Sequence, residues 1–594
     1  MKIHSVIVLN LYKLKTMLLG FLLLCCGLNI SYSTLNVSHN PELLGLTLIV
    51  SILLIALPVY NRGPFIFYAS DLLMFTVAIL TLFLYLCFPS WQNSIAGCLL
   101  FLYLSIRLNT KIDLRILYVF LLIFLIVISV MGYMQYFNLL KSNHDYFIIT
   151  GPYLNPSVYG CVISISLSVV LVFLVSAFYY KKHETLSVAS VLTAAISIPI
   201  LFISGSRTAV LSLMITVICI IYIRCRKNVK LTKRKIFLTI TIFVLIFLCC
   251  SYPLYLYKKD SADGRFLIWK VTLEMIKDKP ISGFGSDGFV ANYMHYQANY
   301  LETTGTVREK YLAGNIHKVF NEPLRLLVEY GLVGLFIYVC FVALLFSMPQ
   351  RNIVGKIVFV TGINYLVIGL FTYSYVIFPI QLIMLIVFSL SVFYSKKRLV
   401  IKSLDLSFKC LRLTKGTLII LMIAFSYPIF KSWVGYCKLN RISSKSGFRN
   451  SNKYISELAS LECLMQTESI FWRYYCVALN KEKQDTMLLD KIINWEKLHP
   501  DPMVYILKGD VLKRNGNIAA AEQAYRIAAY MIPSMQTARG RLAFLYKDYG
   551  REEEGLMLAR EILEEEVKVY GFATYELHQD LRDKFKLQTI TKYH

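Results

Sequence analysis

Apolar residues in this chain gather into long, nearly unbroken runs separated by short polar segments. Thirteen such runs can be read, at roughly 14–30, 43–59, 66–88, 91–108, 114–137, 156–180, 186–204, 208–223, 235–255, 320–346, 353–371, 375–395 and 416–434. A helix needs ~20 apolar residues to cross a bilayer, with ~17 still workable. The pattern predicts an all-α, polytopic transmembrane bundle of about 12 to 13 spans over residues 1–434. No clean small-x-small cleavage site follows the first run, so it is expected to be a retained helix. Two stretches break the pattern. Residues 256–319 form a polar loop rich in Gly, Asp, Lys and Tyr, and 435–594 form a charged, amphipathic tail with no long apolar run. A loop this long inside a compact fold points to function.

Composition agrees. Of 594 residues 57% are hydrophobic and only 16% charged, with mean hydropathy +0.57, against the ~25% charged residues of soluble domains. A disordered chain, a nucleic-acid coat or a disulfide-stapled scaffold is excluded for the molecule as a whole. The net charge of +26 does not imply a nucleic-acid partner, because most of the excess lies in short clusters beside apolar runs. With the N-terminus inside, the inner segments hold 25 Lys and Arg, and the short outer loops hold only Lys141 and Arg207. The Lys/Arg bias sets orientation, so the expected arrangement puts 256–319 and the tail outside the cytoplasm. The 14 cysteines form no CxxC or Cys/His metal spacing and read as small apolar residues.

The tail contains a repeat. Gly509, Gly516, Ala521, Tyr525, Ala528 and Pro533 fall at the spacing of a 34-residue helical hairpin, and a shift of 34 brings up Ala543, Gly550, Gly555, Ala559 and Ile562. The small residues let paired helices approach. The pattern resembles the tetratricopeptide repeat. Residues 451–500, with Trp472 and Trp495, are expected to supply degenerate helices of the same kind. Such a stack either binds a protein partner or simply caps the membrane part.

Three blocks carry candidate chemistry. The first is Ser204-Gly205-Ser206-Arg207-Thr208, at an outer membrane boundary. An arginine there either snorkels to the interface or faces a polar cavity. The second runs from Gly264-Arg265 through Trp269 to Pro280-Ile281-Ser282-Gly283-Phe284-Gly285. A guanidinium fork suits a diphosphate, and glycines permit sharp turns or close approach. The plainer reading is a surface helix followed by a turn. The third starts at Asn315-Ile316-His317 and continues through Asn321-Glu322-Pro323 to Glu329-Tyr330-Gly331. His317 and Glu322 are candidate general bases, although a lone histidine is more often structural. No Asp-x-Asp occurs in any outer segment, so no divalent-metal cradle is evident.

Together the G-S-R-T-A, G-R-x-x-I-W…P-x-x-G-x-G and N-E-x-L…L-V-E-Y-G-L-V-G blocks, over about 200–345, resemble the bacterial O-antigen ligase family of membrane glycosyltransferases. That family includes polymerases and protein O-oligosaccharyltransferases. The resemblance implies glycan transfer at the outer leaflet of the inner membrane, from a polyprenyl-diphosphate-linked donor to lipid A-core, a protein hydroxyl or another glycan. It implies no cofactor and no metal. Arg207 and Arg265 are the implied diphosphate ligands, Arg265, His317 and Glu322 the catalytic candidates, and Ser206, Gly264, Trp269, Gly283, Gly285 and Asn321 the supporting residues. In one place the chain departs from the pattern: many members have histidine directly before the block's asparagine, and here that position is Phe320. The competing readings are a polysaccharide polymerase and a lipid-linked glycan transporter. Against transport, the spans show no internal duplication.

Overall fold

A computed structural model describes residues 2–28, 41–57, 65–68, 71–72, 76, 91–108, 112–180, 184–228, 252–253, 255–256, 258–347, 352–394, 400–404, 408–443, 451–568 and 570–587. These residues are helical apart from connecting turns and one antiparallel strand pair, Phe65–Tyr68 with Val400–Leu404. The all-α expectation therefore holds at the level of architecture. The strand occupies the start of the run read at 66–88. A short Phe-Ile-Phe-Tyr segment has strand propensity, and periodicity alone cannot separate it from helix. Most of the rest of that run, and nearly all of the one at 235–255, lie outside the described residues.

The chain divides into two compact units. The first, residues 1–257, 320–323 and 333–437, is the membrane unit. Among the described residues seven helices are long and apolar enough to cross a membrane, and the shorter apolar helices Pro41–Ala56 and Phe378–Leu390 accompany them. The protein is therefore an integral membrane protein. Several polar groups inside this unit pair with one another, as a lipid-embedded interior favours. Asp71 accepts from Arg107 Nε and Nη2, each at 2.7 Å, and from the Tyr103 hydroxyl at 2.7 Å. Asn364 Nδ2 donates to Ser164 Oγ, Ser212 O and Thr216 Oγ1, tying three helices together. Both side chains thus serve packing.

The second unit comprises 258–319, 324–332 and 438–594. Its tail is a run of helix pairs: Ser469–Lys481 with Asp485–Leu498, Pro502–Arg514 with Ile518–Met531, and Gln536–Asp548 with Glu552–Glu564. The starts Pro502 and Gln536 are 34 residues apart, as are Ile518 and Glu552. At Gly509 an added Cβ would lie 2.5 Å from the Tyr525 ring, so only glycine allows that pair to close. The 258–319 segment packs on this tail. Gln297 Nε2 donates to Met531 O at 2.6 Å, and Asn315 Nδ2 donates to Asp501 Oδ2 at 2.8 Å.

Candidate functional site

The candidate residues fall in two places, one in each unit. In the membrane unit, the Glu184–Ile203 helix ends at Ser204, and Gly205 turns the chain with φ +64°. Ser206 then caps the Arg207–Asn228 helix, its Oγ accepting from Ala209 N at 3.3 Å. The turn is seated on the Pro156–Tyr180 helix at Gly160, where an added Cβ would lie 2.6 Å from Ser206 Cβ. Arg207 is thus the first residue of a helix whose preceding turn is locked, and it stays half-buried. A helix N-terminus with a guanidinium on its first residue is suited to an anion.

The same unit holds Phe320–Pro323. Phe320 takes the left-handed conformation at φ +59°, which costs a bulky residue ~1–2 kcal/mol. Its ring packs edge-on against Tyr373, with centroids 5.2 Å apart. Asn321 Nδ2 donates to Leu370 O at 3.2 Å. Glu322 is buried, and its Oε1 accepts from Ser374 Oγ at 2.9 Å and Tyr375 N at 2.7 Å. The carboxylate therefore fastens the 374–376 turn to the start of the Glu322–Ser347 helix.

In the second unit, Arg265 lies half-buried on the Lys259–Asp278 helix. At Gly264 nothing would meet an added Cβ, so its bare backbone leaves open space beside Arg265. Trp269 Nε1 donates to Val319 O at 3.0 Å, anchoring the end of the loop to this helix.

The glycines of the second and third blocks interlock. The Glu322–Ser347 helix breaks at Gly331, with φ 60° and ψ −153°. In an unbroken helix Val328 O would accept from Leu332 N, and Glu329 O from Val333 N. Here Phe284 N donates to Val328 O at 2.9 Å and Gly285 N to Glu329 O at 2.8 Å, while Leu332 N donates to Pro280 O at 3.1 Å. Residues 280–285 act as a strap that satisfies the backbone groups freed by the break. Its turns need Gly283 at φ +67° and Gly285 at φ +86°. A Cβ on Gly283 would sit 2.4 Å from Glu329 O.

Beside the break, Arg325 Nη1 and Glu329 Oε2 form a buried ion pair at 2.6 Å. The sequence reading passed over this pair. Its signal was present: two opposite charges at i,i+4 in an otherwise apolar helix are costly unless they meet.

His317 stacks on His499 of the tail, ring centroids 4.1 Å apart. His499 is buried, with Nε2 2.9 Å from Asn315 Oδ1 and Nδ1 3.3 Å from Val290 O. His317 keeps an exposed edge, yet its ring is crowded by protein. Desolvation first, then repulsion by His499 and Lys318, push its pKa down to about 3. Burial also lowers the pKa of His499, opposed by Asp501. Unfolded histidines titrate near ~6.5, so below that pH the unfolded chain binds more protons than the folded one. Stability from these neutral rings is complete above ~6.5 and is lost as pH falls toward the folded values. The full-length protein in detergent should therefore melt several degrees lower at pH 5 than at pH 7.5, and His499→Asn should shrink the difference. Equal melting temperatures at both pH values would contradict neutral, crowded imidazoles.

Among the described residues no group of three or more His, Cys, Asp or Glu side chains gathers as metal ligands.

Both places lie within one match to a known family: residues 192–339, about a quarter of the chain, match the family described as O-antigen ligase. This segment is similar to the O-antigen ligase family. The matched segment contains the Ser206–Arg207 turn, the Arg265 helix, the strap and the Gly331 break. No curated protein matches the chain.

Proposed function

We propose that this chain transfers a glycan from a polyprenyl-diphosphate carrier to an acceptor hydroxyl at the non-cytoplasmic face of the inner membrane, without a metal. The observation that carries the reading is that the 192–339 match takes in every candidate residue of all three blocks. The acceptor oxygen attacks the anomeric carbon as the bond from that carbon to the diphosphate oxygen breaks. The diphosphate leaves with the electron pair. Arg207 and Arg265 neutralise the charge that grows on it, which is electrostatic stabilisation of the transition state.

The hydroxyl proton goes to His317. Its imidazole is neutral at working pH and so carries a free lone pair. A positive charge there is opposed by His499 and Lys318, so proton acceptance depends on the anionic leaving group as counter-charge. Glu322, whose Oε1 already accepts two hydrogen bonds, is a positioning residue in this scheme. Phe320 takes the place where many family members have histidine, and His317 supplies the imidazole from three residues upstream.

With purified protein and a polyprenyl-diphosphate glycan, His317→Ala should lower kcat about 100-fold with little change in donor KM. Glu322→Gln should lower kcat and raise KM together. EDTA should leave the rate unchanged. Full activity in His317→Ala would remove the imidazole from the mechanism.

A further inference from the structure

The second unit contains a cleft of about 1400 Å³, lined by none of the candidate site residues above. One wall is the short Val307–Leu312 helix, and the other is built from the Ile518–Met531, Gln536–Asp548 and Glu552–Glu564 helices. Sites for single small molecules run to ~1,000 Å³ at the upper end. The cleft is therefore sized for an oligomeric ligand.

We propose that this cleft binds a stretch of glycan chain, a second saccharide site distinct from the transfer site. The inference rests on the reading that the protein handles glycans. Its support lies in the lining. Three half-buried tyrosines line it: Tyr530, Tyr546 with Arg551 over its ring at 4.1 Å, and Tyr311 with Arg308 and Lys568 over its ring. Around them stand five basic and five acidic side chains, which balance. Many are already engaged. Arg539 pairs with Glu561 at 3.4 Å and also with Glu565. Arg551, beside the cleft, bridges Glu554 at 2.6 Å and Glu522 at 2.7 Å.

With basic and acidic groups equal in number, the surface offers no net charge to a carboxylate-ended, phosphorylated or strongly basic peptide. It does offer alternating donors and acceptors at fixed positions. A sugar hydroxyl both donates and accepts, so it meets either kind of group. The Tyr530 ring, the remaining edges of Tyr311 and Tyr546, and the exposed Met557 and Val307 supply apolar surface for the C–H faces of sugar rings. None of these residues belongs to the strap, the arginine turn or the His317 cluster, so this site holds polymer and takes no part in the chemistry.

The test uses the full chain in nanodiscs. The probe is polysaccharide released by mild acid from the envelope of the cells that make this protein, with dextran and a random decapeptide pool as comparisons. Saturable binding of the polysaccharide is expected. Tyr311→Ala with Tyr530→Ala should weaken it at least tenfold while Phe at both positions retains it. Met557→Trp, at an exposed position that fills the cleft, should weaken it as well. Transfer to a short acceptor should be unchanged in all of them. No polysaccharide binding, wild-type affinity in both the double-alanine and the Trp variants, or binding of the peptide pool in its place would overturn the proposal. Arg207→Ala and Arg265→Ala should each lower transfer about 10²–10³-fold and leave this binding intact. If they stay active, the transfer reading fails, and the cleft stands or falls on the binding result.

Discussion

Replacing Gly331 by alanine should cost the domain its join and its activity together. The residue sits at φ 60° and ψ −153°, a conformation essentially restricted to glycine that costs any other residue ~1–3 kcal/mol. An added Cβ would also lie 1.9 Å from Ile281 O and 2.3 Å from Ile281 C. Those are backbone atoms of the strap, and they are held by the bonds to Val328 O and Glu329 O. Relieving the clash means expelling the strap and losing its three backbone hydrogen bonds, at ~1 kcal/mol each. The combined loss is about 4–6 kcal/mol, a large part of a domain's stability. The variant should accumulate poorly, melt well below wild type and transfer glycan at least 100-fold more slowly. Gly264→Ala is the control. Its Cβ would meet nothing within 4 Å, and alanine is the better helix former by ~1 kcal/mol, so melting temperature should hold or rise. Wild-type melting and transfer in Gly331→Ala would refute the interlock.

The second large effect is expected at the arginines. Arg207→Ala and Arg265→Ala should each lower transfer 10²–10³-fold, the scale for removing one preorganised stabiliser of developing charge. Lysine at either position should recover only part of the loss, because an ammonium lacks the rigid two-pronged fork. Thermal melting is the companion readout: Ser206 still caps the helix that Arg207 opens, so the loss of transfer should far exceed any loss of stability. The double variant should be little worse than either single if both side chains serve one diphosphate, because groups acting as a unit are strongly non-additive. Strictly additive losses would separate them.

Much of this was legible in the sequence, for identifiable reasons. Spans such as Leu114–Tyr136 and Ile353–Phe371 are visible because lipid demands ~20 apolar residues in a row. The tail period was visible because Gly509, Ala521 and Tyr525 must be small or planar where helices touch. What stayed hidden depended on contacts between distant segments. The P-x-x-G-x-G and E-Y-G blocks read as two motifs about fifty residues apart, and only the structure shows that one supplies the hydrogen bonds the other lacks. His317 read as a lone histidine because its partner, His499, lies 182 positions away in the tail. The carboxylate of Glu322 read as a free base candidate because its donors, Ser374 and Tyr375, belong to a turn with no motif. The Phe65–Tyr68 strand was hidden because four apolar residues carry no period.

The central claim is a chemical one: this chain forms a glycosidic bond at the expense of a glycan–diphosphate bond. It is tested by reconstituting the purified protein in liposomes with a radiolabelled polyprenyl-diphosphate glycan and a hydroxyl acceptor, and following label and free carrier together. The account predicts label on the acceptor and one equivalent of free polyprenyl diphosphate for each glycan transferred, with both lost in Arg207→Ala and Arg265→Ala. Label that crosses the bilayer still attached to its carrier, with no new acceptor-linked glycan, would contradict it.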